Sequence, residues 1–190
     1  MKQTTELMHR KKKTIGVFAF GDVPAIVLKV IDAHLSGYLN LEAEIMPSLA
    51  LPDYALNEHR FQYDCGIILK KLRANTFNGY EKVIGVLPVD LFVPIFTYVY
   101  GEARQGGRIA LVSIFRLQSN PQMASEPSSL MYERTAKVAM HELGHLFNLR
   151  HCDDEKCLMH FSGSLNELDR TPVYFCRYCT AYFSAALARR

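Results

Sequence analysis

No apolar run in this sequence approaches the ~20 residues that a membrane-spanning helix needs. Met1 to Lys13 is polar and has no apolar core of the kind a secretion signal carries. Together these absences predict a cytoplasmic protein with no membrane partner. There are no internal repeats, no low-complexity tracts and no long linkers. Neither sign of charge dominates: 22 Lys and Arg stand against 19 Asp and Glu, a net charge of +3. Part of that surplus sits in Arg10-Lys11-Lys12-Lys13 and Arg189-Arg190, which read as solvated tails rather than nucleic-acid arms. Cysteine is sparse along most of the chain; only Cys65 lies outside the stretch from Cys152 to Cys179. Five cysteines in a cytosolic chain argue against a disulfide framework and for metal or spare thiols.

What is present suits one domain. The length of 190 residues buries a core without staples, and we place that domain at 14–190, after a basic tail at 1–13. Thr14 to Phe20 reads as a buried strand, and Asp22 as a cap for the helix that follows. In that helix Val27, Val30, Ile31, His34, Leu35 and Tyr38 recur at three- and four-residue steps, marking one buried face. His34 reads there as a hydrogen-bonded core histidine. Leu41 to Met46 is a second strand, and Pro47 to Asn57 a loop. Phe61, Cys65, Ile68 and Leu72 mark a second helix, with Cys65 a small core side chain. Lys82 to Val89 is a third strand. Tyr98 to Tyr100 and Arg108 to Phe115 flank Gly106-Gly107 as a hairpin or edge. Ser119 to Ser129 is a loop, and a third helix runs from Ser128 or Ser129 to about Phe147. The alternation predicts an α/β fold with a twisted mixed sheet flanked by helices.

The third helix carries His141-Glu142-Leu143-Gly144-His145. At about 100° and 1.5 Å per residue, His141 and His145 lie roughly 40° apart on one face. They point away from the apolar stripe of Tyr132, Ala136, Met140, Leu143 and Phe147, towards a cleft, where their ring nitrogens can converge on one metal. Glu142 sits beside that metal rather than on it, which suits a base. A pair of surface histidines is the bland alternative. His151 weighs against it. A continuing helix would carry His151 about 240° away, so the helix must stop and the chain bend back. A left-handed residue does this, with asparagine second only to glycine, and Asn148 stands where the turn is required. Three imidazoles leave a fourth position for water, the mark of a catalytic zinc.

The resulting HExxHxxNxxH resembles the metzincin zinc-binding pattern, with Asn148 where glycine is usual. Metzincins also place a methionine in a turn beneath the metal, and Met159 is the candidate. Next come Cys152, Cys157, Cys176 and Cys179, as C-x4-C and C-x2-C pairs with an 18-residue gap. Two close pairs suit a tetrahedral four-thiolate zinc site, structural rather than catalytic; a redox disulfide at Cys176/Cys179 or free thiols are the alternatives. The composite His141-Glu142-x2-His145-x5-His151-Cys152-x4-Cys157-x-Met159, followed by Phe175-Cys176-x2-Cys179, resembles the archaemetzincin family. Ser162, Ser164, Glu167 and Asp169 fall at that family's polar positions, and Gly101-Glu102-Ala103 resembles its edge strand. The resemblance implies a compact zincin-like fold, with an upper part at 14–148 ending in the zinc helix and a lower part at 149–190 stapled by the thiolate zinc. It also implies a peptidase with two zinc ions, acting on peptide or protein substrates.

The expected chemistry is hydrolysis with Glu142 as general base, the substrate extended along Tyr98 to Ala103 or Arg108 to Phe115. Two other readings stay open: a latent or non-hydrolytic zinc protein, and a zinc ribbon gripping nucleic acid. Asp153, Asp154, Glu155, Glu167 and Asp169 oppose the last by repelling phosphate. His9, His59 and His160 read as surface residues, with His160 a candidate for the cleft wall.

Overall fold

The computed structural model describes residues 14–74, 77–118 and 128–188. The basic tail, His9, Arg189-Arg190 and most of the loop expected at 119–129 lie outside them. Thr14–Ala19 (β1) and Tyr80–Leu87 (β5) form the centre of a five-stranded sheet with Glu42–Ile45 (β2), Ile109–Ser113 (β8) and Gly101–Ala103 (β7). The order is β2-β1-β5-β8-β7. Four strands run parallel, and β7 lies antiparallel to β8 at the edge, Glu102 opposite Leu111. A second small sheet joins Leu56–Asn57 (β3), Gln62–Asp64 (β4) and Leu91–Phe92 (β6). The fold is therefore mixed α/β, as the alternation of the sequence predicts.

Strand residues alternate between two cores because successive side chains leave opposite faces of a sheet. Ile15, Val17, Ile84, Val86, Ala110 and Val112 face one core. Against it pack Ala25–Leu39 (α1), Ser129–Leu146 (α3) and Arg177–Ala188 (α5). Phe18, Phe20, Val83, Leu87, Ile109 and Leu111 face the other, with Cys65–Arg73 (α2) against them. Each buried aliphatic side chain contributes about 1.5–3 kcal/mol of transfer free energy. Leu165–Arg170 (α4) precedes α5.

Several local expectations change. Asp22 does not cap α1; Pro24 occupies the N-cap with no side-chain bond, since a proline side chain carries no acceptor, and its carbonyl takes the Val27 amide at 2.9 Å. On α1, Val27, Ile31 and Leu35 are buried but Tyr38 is exposed, its ring stacked on His34. His34 is half-buried and bonded to the Val30 carbonyl at 2.8 Å. Phe61 is exposed at φ 52°, outside α2, which starts at Cys65 under the Asp64 cap. The segment expected as loop, Pro47 to Asn57, holds a 3-10 turn, Asp53–Ala55, and β3. Tyr98 to Tyr100 is not a strand of the main sheet, and β8 is internal, paired on both sides, so the edge on this side of the sheet is β7. No helix among the described residues is long and apolar enough to cross a membrane.

Candidate metal centre and cleft

α3 starts under the Ser128 side chain, which accepts the Met131 amide at 3.2 Å. It ends in a Schellman motif. The Leu149 amide donates to Gly144 O and the Asn148 amide to His145 O, both at 3.0 Å, around Asn148 at φ 69°. Asparagine tolerates this left-handed backbone because its short amide bonds locally. The chain therefore turns back, and His151 meets His141 and His145. Ring centroids are 4.7 Å apart for His141–His145, 5.3 Å for His141–His151 and 4.9 Å for His145–His151. One ligand atom from each lies within 4.8 Å of the others.

Two backbone carbonyls orient the helical pair. His141 Nδ1 donates to Leu158 O at 2.7 Å and His145 Nδ1 to Leu149 O at 2.8 Å. With the proton on Nδ1, each Nε2 keeps a bare lone pair. The two Nε2 atoms sit 3.1 Å apart. Facing lone pairs repel unless a cation lies between them. A tetrahedral zinc with Zn–N bonds of about 2.0 Å sets an edge of about 3.3 Å, so the residues fit the ion. All three imidazoles are held in the neutral, metal-binding form. Burial pushes His141 down to about 3, aided by the neighbouring His145, and burial lowers His145 and His151 as well.

Glu142 is buried beside this triad, and its proton affinity is raised well above the ordinary carboxylate value by burial and by the charge of Glu102. β7 passes over it so closely that a Cβ on Gly101 would stand 2.7 Å from Glu142 Cγ. Only a strand bare at that position lies this near α3. A cleft of about 600 Å³ opens here, lined by the three histidines and Glu142, by β7, and by Phe96, Tyr98 and Tyr100 above. Leu158, His160 and Phe161 line it from below. His160 is thus a cleft residue, bonded to Cys152 O, while His59 is exposed.

Cys152, Cys157, Cys176 and Cys179 bring one sulfur each within 4.8 Å of the others, and no cysteine is in a disulfide. Cys152 and Cys176 Sγ are 3.9 Å apart; tetrahedral Zn–S bonds of about 2.3 Å set an edge of about 3.8 Å. The amides of Met159 and Cys176 donate to Cys157 Sγ at 3.4 and 3.3 Å, as suits a thiolate. Burial raises Cys157 and Cys179. At Cys176 burial also works upward, but hydrogen bonds from the Cys179 amide and from Cys157 outweigh it and hold the thiol below its ordinary value.

A family model described as peptidase family M54 matches residues 29–184. The chain belongs to this family. An archaemetzincin from Methanopyrus kandleri is 38% identical over 173 residues, covering 89% of this chain and 94% of that one. The crystal structure of archaemetzincin from the same organism superposes with a TM-score of 0.83 at 35% identity, covering 96% of this chain and 99% of that one. A structure described as a zinc-dependent peptidase from Methanocorpusculum labreanum gives 0.79 at 29% identity, over 89% and 99%. The M54 chain is accordingly a zinc metallopeptidase, a hydrolase, with a histidine triad and a four-cysteine cluster that can each hold zinc.

Other parts of this M54 site have no sequence signal. The carbonyls of Leu158 and Leu149 are main-chain atoms. Gly106, at φ 67°, donates to His145 O at 2.8 Å and packs against the Asn148 side chain, while Gln105 Nε2 donates to Asn148 O. That loop clasps the C-terminal end of α3. Met159 lies under α3; a Cβ on Gly144 would stand 2.5 Å from its sulfur.

Proposed function

We propose that the chain hydrolyses peptide bonds in the cleft, with one zinc on His141, His145 and His151 and a second, structural zinc on Cys152, Cys157, Cys176 and Cys179. When bound, zinc supplies a Lewis acid that acidifies water and polarises the scissile carbonyl. Glu142 takes the proton of the attacking water and returns it to the leaving amine. Its buried, proton-avid carboxylate suits both duties, since an ordinary carboxylate is too weak a base to take up the proton that it must later deliver. The free edge of β7 pairs with the extended substrate backbone and aligns it across Glu142. Asn148 divides the chain into an upper part, 14–148, and a lower part, 149–190, that close on the cleft from two sides. Met159 floors the metal helix. Because Cys157, Leu158 and Met159 are consecutive, the thiolate zinc also fixes the carbonyl that orients His141. The need for four reduced thiols fits a cytoplasmic setting.

The observation that carries the reading is the pair of oriented Nε2 lone pairs 3.1 Å apart beside a buried carboxylate. Glu142→Gln keeps the shape and the metal ligands but cannot accept a proton. Across a broad peptide library, the zinc-loaded variant should keep its zinc and lose at least about 100-fold in turnover. Wild-type turnover in that variant would remove Glu142 from the mechanism.

A further inference from the structure

Besides the histidines, two basic side chains among the described residues line the cleft, and they differ in what they are free to do. Lys137 is buried, its ammonium bonded to Glu133 Oε1 at 2.7 Å and to the carbonyls of Leu168 and Asp169 at 3.2 Å each. Its charge is satisfied inside the fold. Arg150 is exposed, and among the described residues it makes no hydrogen bond or ion pair.

The backbone that presents Arg150 is held on both sides. The Leu149 amide closes the turn on Gly144 O at 3.0 Å, Leu149 O takes the His145 ring proton at 2.8 Å, and His151 belongs to the imidazole triad. A guanidinium carries five N–H donors in a planar fork and keeps its charge, so one left unpaired in a cleft is a receptor for an anion, above all a carboxylate. β7 shows where along the cleft it stands. The strand runs from Gly101, against Glu142, to Ala103, and Gln105 beyond it donates to Asn148 O at 3.1 Å. It thus leads from Glu142 to the end of α3, two residues before Arg150. At about 3.3 Å per residue, a substrate extended along β7 brings beside Arg150 a residue about one to three places from the scissile bond.

We propose that Arg150 selects the substrate by pairing with a carboxylate that the peptide carries about one to three residues from the bond to be cut. This rests on the peptidase reading and names its substrate class, peptides that are acidic at one position. The carboxylate belongs either to an Asp or Glu side chain or to the end of the peptide itself, and the arms of the test separate the two.

The test uses a neutral peptide with both ends blocked, scanned with one Glu in place of Gln at each position in turn, and a shortened series ending in a free carboxylate. Binding is read by fluorescence anisotropy on zinc-loaded Glu142→Gln protein, and cleavage on the wild type. At one position the carboxylate should tighten binding at least about fivefold at low salt, and the gain should fall below about twofold in about 0.5 M NaCl. Added to Glu142→Gln, Arg150→Gln should abolish the gain, Arg150→Lys should keep part of it, and Arg150→Glu should transfer it to Lys at that position. Zinc can itself take a carboxylate, so a gain that survives Arg150→Gln overturns the proposal. A scan that is flat at low salt in both series overturns it without any change at Arg150. Selective binding without wild-type cleavage upholds the role of Arg150 and removes the hydrolase reading; cleavage without selectivity does the reverse.

Discussion

Replacing Asn148 separates backbone strain from side-chain chemistry. At φ 69° an ordinary L-residue carries about 1–2 kcal/mol of strain, asparagine less and glycine none. The turn around Asn148 is tied by the Leu149 and Asn148 amides, and Leu149 O then holds His145. Asn148→Gly should therefore stay within about 0.5 kcal/mol of wild type, losing only contact with Gly106. Asn148→Ala should lose about 1 kcal/mol of stability and bind zinc slightly less well. Valine is branched at Cβ and cannot sit here comfortably. Asn148→Val must either bear about 2 kcal/mol or abandon the turn and carry His151 away from the other two rings. The second course trades a zinc ligand for relief, and zinc affinity falls at least about tenfold, since 1.4 kcal/mol is a factor of ten. Urea unfolding of metal-free protein and competition titration against a chromophoric zinc chelator read the two effects separately. Wild-type stability together with wild-type zinc affinity in Asn148→Val, or a large loss in Asn148→Gly, would refute the idea that positive φ delivers His151.

Two further outcomes follow from contacts around the cleft. Gly101→Ala sets a methyl 2.7 Å from Glu142 Cγ and 2.9 Å from Val138 Cγ1. It should cost about 1–3 kcal/mol of stability and displace the carboxylate, so peptide turnover drops at least about tenfold while zinc content holds. Equal turnover would show that β7 does not register Glu142. Asp169 takes two bonds from buried Arg134 at 2.7 Å, and that bonding holds its carboxyl below the ordinary 3.8. Folding therefore favours the ionised form, a contribution present above pH 3.8 and lost as pH falls through the lower folded value. In metal-free protein Asp169→Asn should cost about 2–3 kcal/mol at pH 7, leaving Arg134 buried without its partner. That cost should shrink towards pH 3, read by urea unfolding at both pH values; a pH-independent cost would contradict the assignment.

What the sequence made legible was local. The Ser128 cap, the α3 apolar stripe and the stop at Asn148 each depend on a few neighbouring residues, so spacing alone foretold that three imidazoles come together. Two close cysteine pairs are equally readable, because each pair is presented by one turn. What stayed hidden depends on chain separations no pattern encodes. Phe61 falls on the apolar period of α2 yet sits outside it, because Asp64 caps the helix later and takes the Ile67 amide. Arg108 to Phe115 has the look of an edge, but its apolar residues on both faces belong inside a sheet. The Gln62–Asp90 bond joins residues 28 apart, and Leu158 O orients His141 through main chain alone. Family membership rests on the comparisons, and the roles of the site residues rest on geometry that side-chain replacement can test.

A metal count tests the pair of zinc sites most directly. Zinc per chain, measured by mass spectrometry of purified protein, should be about two in the wild type. It should fall to about one in His151→Ala, which keeps the thiolate site, and to about one in Cys176→Ser, which keeps the imidazoles. A wild type that holds no zinc, or a His151→Ala variant that keeps both ions as tightly as the wild type, would contradict it.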